Sequence, residues 1–406
     1  MTRAGSPDRR PPGSPVFEPI ASVCLLRPRE FIMMSYLQKL FHKRLGWLAG
    51  AALVTLGAGA VMFENMPVAD AAGGGVNASQ AYRSGLPFLG ALPSLAGATT
   101  WLNSPPLDTA QLRGKVVLVD FWTYSCINCI RTLPHVRAWA EKYRDQGLVV
   151  IGVHTPEFSF EKDTANIEKA IARFKIDYPI AVDTEHRVWD TFHNNVWPAF
   201  YIADAQGQIR AHFVGEGNYD KTEKIIQSLL AEAGKHDAMG ALTTPQASGE
   251  QAAPDIAHLR SGETYVGYEQ ASNFVSRSGL KRDVAYEYSI SDPGLNEWSL
   301  RGNWTVGAER TTLNRAGGSI AYRFTARDLH LVLAPSADGA PVRFQVRIDG
   351  HAPGENHGSD TDPAGNGIVA QTRLYQLVRQ SGVVKEHVFE IRFLDPGVSA
   401  FAFTFG

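Results

Sequence analysis

Two cysteines three positions apart, Cys126 and Cys129, are the residues of this sequence best suited to chemistry. They follow an apolar, β-branched run, which predicts a buried strand, and they precede a helical pattern that extends to Tyr143. At a helix start, free backbone N–H groups and the helix dipole stabilise a thiolate and can lower a cysteine pKa from about 8.5 to about 3.5–7.5. We therefore predict that Cys126 is a redox nucleophile and that Cys129, one turn later, can close a disulfide with it.

Two other uses of the cysteine pair fit the pattern less well. A zinc site needs about four ligands, usually from two such pairs, and the third cysteine of the chain, Cys24, lies far upstream. A purely structural disulfide that closes so short a loop would constrain the unfolded chain little. We therefore expect a redox pair and no metal.

The sequence around the cysteines, V-V-L-V-D-F-W-x-x-x-C-x-x-C, resembles the thioredoxin superfamily. Asp120 stands six residues before Cys126, where thioredoxins carry a buried acid. Pro134 stands five residues after Cys129, where they have a helix-kinking proline. The segment 196–202 (VWPAFYI) resembles their cis-proline loop, which leads into a strand.

A longer stretch narrows this resemblance. The pattern FWTYSCINCIRTLPHV, with IGVHTPEF after it, is similar to the periplasmic thioredoxin-like part of DipZ-type proteins in the TlpA/ResA-like group, which is related to cytochrome c biogenesis. The resemblance covers about residues 84–406. DipZ-type proteins generally also carry a multi-span membrane electron-transfer domain, for which we find no pattern in this sequence.

The resemblance implies roles for individual residues. Cys126 would attack a substrate disulfide, and Cys129 would resolve the mixed disulfide. Asp120 would be a semi-buried acid with a raised pKa that exchanges a proton with Cys129, although a hydrogen-bonded strand acid is the alternative. Pro198 would be a cis-proline that lies against Cys126 and presents backbone groups to an extended substrate peptide.

Three further residues are candidates at the same site. Trp122 and Trp197 are expected to flank the cysteines as an apolar surface for substrate binding, with core packing as an equal alternative. Glu157 is a candidate proton relay near the disulfide, although a solvated loop carboxylate fits as well. The resemblance implies no cofactor.

The dipeptide between the cysteines, Ile127-Asn128, bears on the direction of electron flow because it affects thiolate stability and hence the reduction potential. It is neither the Gly-Pro of reducing thioredoxins nor the Pro-His of DsbA-like oxidants, so the residues leave the direction open. The family resemblance favours a reductase. Its partners would be disulfide-containing protein substrates and a separate membrane electron donor of the CcdA/DsbD type.

The N-terminal region carries an export pattern. Residues 1–33 read as disordered or as a mis-assigned start. Residues 34–71 read as a signal peptide or membrane anchor, because basic residues precede an uncharged apolar run over 45–63. We therefore expect a periplasmic or extracytoplasmic protein, with 45–63 as a tether to the inner membrane if the segment is retained. Residues 72–83 read as a spacer.

Two folded domains are expected after the spacer. Residues 84–234 alternate β and α patterns, which predicts an α/β thioredoxin-like fold with a central mixed sheet and flanking helices. In TlpA-like proteins its first part, 84–114, is a β-hairpin extension. Residues 235–260 are rich in Gly, Ala, Ser, Gln and Pro and read as a linker. Residues 261–406 contain many short alternating runs, which predicts an all-β, jelly-roll-like sandwich.

The sandwich resembles the C-terminal domain of DipZ-type proteins, itself similar to carbohydrate-binding modules. Trp298 and Trp304 could therefore stack on a glycan or peptide, or belong to the core. The formal net charge of −2 gives no support for nucleic-acid binding.

The predicted function is an exported thiol–disulfide oxidoreductase, with two alternatives. A thiol peroxidase is suggested by Thr123, three residues before Cys126, although peroxiredoxins have a proline where this chain has Val119. The other alternative is a cell-wall or glycan-binding module with a secondary redox domain.

Overall fold

The apolar run before the cysteines forms the central strand of a mixed sheet in the computed structural model, which describes residues 83–289 and 291–406. All seven residues of this strand, β3, are buried because the sheet has covered faces and strands on both sides. The sheet order is β1-β7-β6-β3-β4-β5-β2, with β3, β4 and β5 parallel and the other pairs antiparallel. The strands are β1 (Gly90–Ala91), β2 (Thr100–Leu102), β3 (Val116–Trp122), β4 (Leu148–His154), β5 (Ile180–Val182), β6 (Ala199–Ala203) and β7 (Gln208–Val214).

Four α-helices accompany this sheet: α1 (Ile127–Tyr143), α2 (Thr164–Phe174), α3 (Arg187–Thr191) and α4 (Tyr219–Glu232). Helix α1 begins directly after Cys126, which serves as its N-cap residue. Its face with Ile130, Leu133 and Val136 is wholly buried. This is the expected thioredoxin-like fold, and that prediction is confirmed.

The first two strands do not form the hairpin that the family resemblance suggests. Strand β1 pairs with β7 and strand β2 pairs with β5, so the two lie at opposite edges of the sheet. The separation follows from their partners: each short strand covers an edge that would otherwise expose unpaired backbone groups.

The second part of the chain consists of antiparallel strands, which confirms the all-β prediction. They are β8 (Thr264–Tyr265), β9 (Ala285–Tyr288), β10 (Trp298–Val306), β11 (Thr311–Leu313), β12 (Ser319–Thr325), β13 (Asp328–Ala334), β14 (Val342–Ile348), β15 (Asn366–Val369), β16 (Arg373–Arg379), β17 (Glu386–Phe393) and β18 (Ser399–Phe405).

Strand β10 joins the two faces of this curled sheet. Its first four residues pair with β12, and its later residues pair with β9 and β11. The change falls at Gly302, which has a φ of 95° and lies so close to Gly318 that a Cβ would stand 2.9 Å from its Cα. A glycine fits this bend because it adopts positive φ without steric cost.

Trp298 and Trp304 lie in the core between the two faces. Each is 0 % exposed, and their Nε1 groups donate to the carbonyl oxygens of Ser272 and Arg301, both at 2.8 Å. They cannot stack on a sugar, so the glycan interpretation of these two residues is wrong. A tryptophan buries a large apolar area and needs only one partner for its N–H, and both conditions are met here.

The two parts of the chain share a hydrophobic contact. Phe401 of β18 packs edge-on against Phe160, with ring centroids 4.6 Å apart, and against Phe158 at 5.5 Å. The segment between the parts also contacts the first one, since Gln251 accepts a hydrogen bond from Arg137 and Glu250 forms an ion pair with Arg173. The core of the thioredoxin-like part therefore continues into the β-sheet part.

The predicted signal or anchor, 34–71, and the spacer up to residue 82 lie outside the described residues. Within residues 83–289 and 291–406, none of the helices has the length and apolar character needed to cross a bilayer.

Candidate functional site

The cysteine pair lies where strand β3 passes into helix α1. Cys126 is the N-cap residue, with φ −78° and ψ 117°, and its sulfur accepts the backbone N–H of Cys129 at 3.4 Å. Both cysteines are free thiols, which is the reduced state of the predicted pair. The buried strand fixes the start of the helix, so the two sulfurs are held one turn apart.

The two thiols differ in exposure. Cys126 is partly exposed, whereas Cys129 is 0 % exposed. Burial raises the pKa of the Cys129 thiol well above its usual value, and its interaction with Cys126 raises it further. A substrate can therefore reach Cys126 directly, while Cys129 reacts only after a proton has been removed from it.

Asp120 lies in the middle of strand β3, beneath the cysteines. It is 0 % exposed, so it is wholly rather than partly buried. Neither carboxyl oxygen has a hydrogen-bond partner within the described part of the chain, which makes the hydrogen-bonded strand acid a poor description. Burial raises the pKa of Asp120 to about 8, and its charge in turn contributes to the raised pKa of Cys129.

The loop before strand β6 provides the other side of the site. The peptide bond between Trp197 and Pro198 is cis, which confirms the cis geometry predicted for Pro198. Pro198 is buried, while Trp197 is partly exposed and lines the same cleft as Cys126. Trp122, by contrast, is 0 % exposed, so its predicted place on the substrate-binding surface is wrong and it belongs to the core.

A loop after strand β4 brings a third set of groups to the cysteines. Glu161 is 0 % exposed and its carboxylate accepts four hydrogen bonds: from the hydroxyl and backbone N–H of Ser125, and from the backbone N–H groups of Glu157 and Phe158. The loop is thereby fixed to the residue just before Cys126. Glu157 consequently lines the cleft, where it had been predicted as a candidate relay.

The cleft at Cys126 has a volume of about 310 Å³ and is walled by both parts of the chain. Ile127 and Trp197 lie on the thioredoxin-like side, whereas Leu259, Tyr265 and Phe405 lie on the other. The reactive sulfur therefore faces a cleft with mixed polar and apolar walls, to which both parts of the chain contribute.

Three residues of the site were not found from the sequence: Glu161, Glu263 and Tyr265. Glu161 had a weak local signal, since it follows the HTPEF stretch by three residues. Glu263 and Tyr265 had none, because only the packing of a second domain brings them to the cleft. Thr123, on which the peroxidase alternative depends, is buried with its hydroxyl 3.4 Å from His154 Nε2 and does not line the cleft.

The described residues contain no group of three or more His, Cys, Asp or Glu side chains arranged to hold a metal ion.

Known proteins are similar in sequence to both parts of this chain. The sequence matches a family model described as AhpC/TSA family over residues 99–212, and one described as thioredoxin like C-terminal domain over 261–406. The thiol-disulfide oxidoreductase YkuV of Bacillus subtilis is 35 % identical over 141 residues, which are 35 % of this chain and 95 % of YkuV.

DipZ from Mycobacterium bovis and DipZ from Mycobacterium tuberculosis are each 35 % identical over 347 residues, which are 82 % of this chain and 46 % of DipZ. The chain thus spans about half the length of these relatives. A solved structure of a thioredoxin-like protein in the oxidized form is 35 % identical, covers 35 % of this chain and 96 % of its own, and gives a TM-score of 0.33.

Proposed function

Since the chain belongs to the thioredoxin-like thiol–disulfide oxidoreductase family, we propose that it acts outside the cytoplasm as a reductase of protein disulfides. The observation that carries this proposal is the unequal exposure of two thiols at one helix start. Cys126 is open to the cleft, and Cys129 is sealed behind it above a buried carboxyl group.

The cycle begins when the Cys126 thiolate attacks one sulfur of a client disulfide. A bond forms between Cys126 and that sulfur, the client S–S bond breaks, and the second client sulfur leaves as a thiolate that takes up a proton. Cys129 then gives its proton to Asp120 and attacks the Cys126 sulfur, which releases the first client sulfur. The client has gained two electrons, and Cys126 and Cys129 are joined in a disulfide.

Asp120 suits the second step because its pKa, near 8, lies close to neutral pH. It can therefore accept a proton from Cys129 and return it when the pair is reduced again. A membrane electron donor of the CcdA/DsbD type would perform that reduction. The export pattern over residues 34–71 supports the extracytoplasmic location, either with the segment cleaved or with 45–63 retained as an anchor.

The direction of electron flow is tested by the equilibrium reduction potential of the Cys126–Cys129 pair, measured against glutathione buffers. We expect a value of about −250 mV or lower, comparable to thioredoxin. A value near about −120 mV would mark a disulfide-forming oxidant and reverse the assigned direction.

The order of attack is tested by trapping. Cys129→Ser should accumulate a mixed disulfide between Cys126 and client proteins, because the resolving thiol is missing. Cys126→Ser should trap nothing, since Cys129 is buried. Trapped species are counted on non-reducing gels and identified by mass spectrometry. If Cys126→Ser kept full exchange activity, the proposed mechanism would be wrong.

A further inference from the structure

The second part of the chain places two side chains at the redox cleft. Strand β8 pairs with β18 through Tyr265 and Ala402, and this pairing directs Tyr265 across to the thioredoxin-like part. Its hydroxyl donates a hydrogen bond to Oε1 of Glu157. Glu263, two residues earlier, lines the same cleft together with Cys126.

Glu157 and Glu263 are the only charged side chains among the described residues that line this cleft, and no His, Lys or Arg joins them. Desolvation raises the pKa of Glu157, and Glu263 and then Glu161 raise it further, while the Tyr265 hydroxyl opposes the change. Glu263 is itself exposed on the wall of the cleft. Two nearby carboxyl groups without a counter-ion hold a proton more firmly than either would alone.

On the basis of the proposed disulfide exchange, we propose that the β-sheet domain builds a general acid at the redox centre. Glu157 is the acid in the cleft of Cys126, and two positioning residues act on it: Tyr265 orients it through the hydrogen bond, and Glu263 helps to keep it protonated. The substrates that need this acid are disulfides of alkyl thiols, such as the cystines of proteins.

The acid acts in the first step of exchange. As Cys126 attacks, the S–S bond of the substrate breaks and its distal sulfur leaves with an electron pair. The Glu157 carboxyl transfers its proton to that sulfur, which leaves as a thiol, and Glu157 becomes a carboxylate. An alkyl thiolate is a poor leaving group and gains from protonation, whereas an aromatic thiolate leaves readily without it.

The pH dependence of this step has a predictable form. The rate of this step falls at high pH as Glu157 loses its proton, which gives the pH–rate profile a falling limb. Removing the charge of Glu263 should lower the pKa of Glu157 and move the falling limb to lower pH. Removing the Tyr265 hydroxyl should raise the pKa of Glu157 and move the falling limb to higher pH.

The test measures the falling limb of the pH–rate profile in the full 406-residue chain carrying Cys129→Ser. This substitution isolates the first step because it removes the thiol that performs the second. Stopped-flow rates with oxidised glutathione are recorded across pH for the parent and for Glu263→Gln, Tyr265→Phe and Glu157→Gln. We expect the first two variants to move the falling limb in opposite directions, by about 0.5–1 pH unit each. Glu157→Gln should abolish the limb and slow the maximal rate roughly 10- to 100-fold.

Two controls separate this role from a structural one. Glu309→Gln alters another contact between the two parts, the hydrogen bonds from Ser159 to Glu309, without changing the cleft charges, so the limb should not move. With the aromatic dithiobis(nitrobenzoate), all variants should react within about twofold of the parent, because no acid is needed.

If the falling limb of the pH–rate profile stays in place in Glu263→Gln and Tyr265→Phe, or shifts in the same direction in both, Glu157 is not the general acid. The proposed disulfide exchange would still stand. Failure of the parent to react with either disulfide would instead refute the proposed function.

Discussion

Asp120 is an ionisable group enclosed by apolar strands, and this position sets the sign of its effect on stability. The carboxyl group of an unfolded-chain aspartate has a pKa of about 3.9, whereas burial raises that of Asp120 to about 8. Between these two values the folded protein binds one more proton than the unfolded chain, so stability falls as the pH rises. Asp120 therefore lowers the stability of the folded protein as the pH rises, and in the proposed cycle it is the proton acceptor for Cys129.

Asp120→Asn should therefore gain stability relative to the parent as the pH rises, because the amide does not ionise. Between about pH 5 and about pH 8 the gain should be on the order of 2–4 kcal/mol, as measured by urea unfolding. The resolving step should meanwhile slow by at least roughly 10-fold. Asp177→Asn is the control, since Asp177 is exposed; equal pH dependence in both variants would contradict this account.

The sequence identifies the residues of the redox pair because their chemistry depends on local spacing. Cys126, Cys129, Asp120 and Pro198 all lie within short, recognisable segments. The sequence does not reveal that Trp122 is buried. A central strand of such a sheet is covered on both faces, so the alternation of side chains along it does not distinguish a buried face from an exposed one.

At the level of elements, the loop from Thr155 to Glu161 depends on one carboxylate. Four hydrogen bonds converge on Glu161, and three of the donors are backbone N–H groups, of Ser125, Glu157 and Phe158. Glu161 thus ties the loop to Ser125, the residue just before the N-cap of helix α1.

Glu161→Ala should lower the free energy of unfolding by about 2–4 kcal/mol, because buried donors lose their acceptor. Hydrogen exchange at the amides of Glu157 and Phe158 should also accelerate, which mass spectrometry of the loop peptide can measure. The exposed Glu168 of α2 provides the matched control, and Glu168→Ala should change neither quantity appreciably. Unchanged amide protection in Glu161→Ala would show that other contacts hold the loop.

At the scale of the whole molecule, strand β18 contributes residues to two different cores. Phe401 packs with the aromatic residues of the thioredoxin-like part, whereas Phe403 and Phe405 belong to the core of the β-sheet part. Strand β18 therefore belongs to both cores and couples the two parts, and we expect the described region to unfold in one transition.

Phe401→Ala should cost about 3–4 kcal/mol and uncouple the parts, giving two transitions in thermal unfolding and earlier hydrogen exchange in residues 155–161. Phe403→Ala is the comparison, since it removes the same volume from the other core. Phe403→Ala should lower the stability of the β-sheet part, while the amides of residues 155–161 stay protected from hydrogen exchange until that part unfolds. A single transition in Phe401→Ala would show that the contact does not link the two parts.

The two folds of the molecule follow from local patterns in the sequence, whereas the long-range pairing of their strands does not. Alternating β and α patterns predict the thioredoxin-like sheet, and short alternating runs predict the all-β part, because both signals are local. The places of β1 and β2 at opposite edges, and of Tyr265 at the redox cleft, depend on long-range pairing that no spacing encodes.

The wall that β18 contributes to the cleft has a consequence for biosynthesis. Cys126 emerges from the ribosome long before residues 399–405, so the nascent chain carries its reactive thiol for some time without Phe405 opposite it. During that interval the thiol lacks the enclosure that later restricts its partners. Arrested chains of increasing length, probed with a maleimide, should therefore show Cys126 reacting more slowly once β18 has left the exit tunnel.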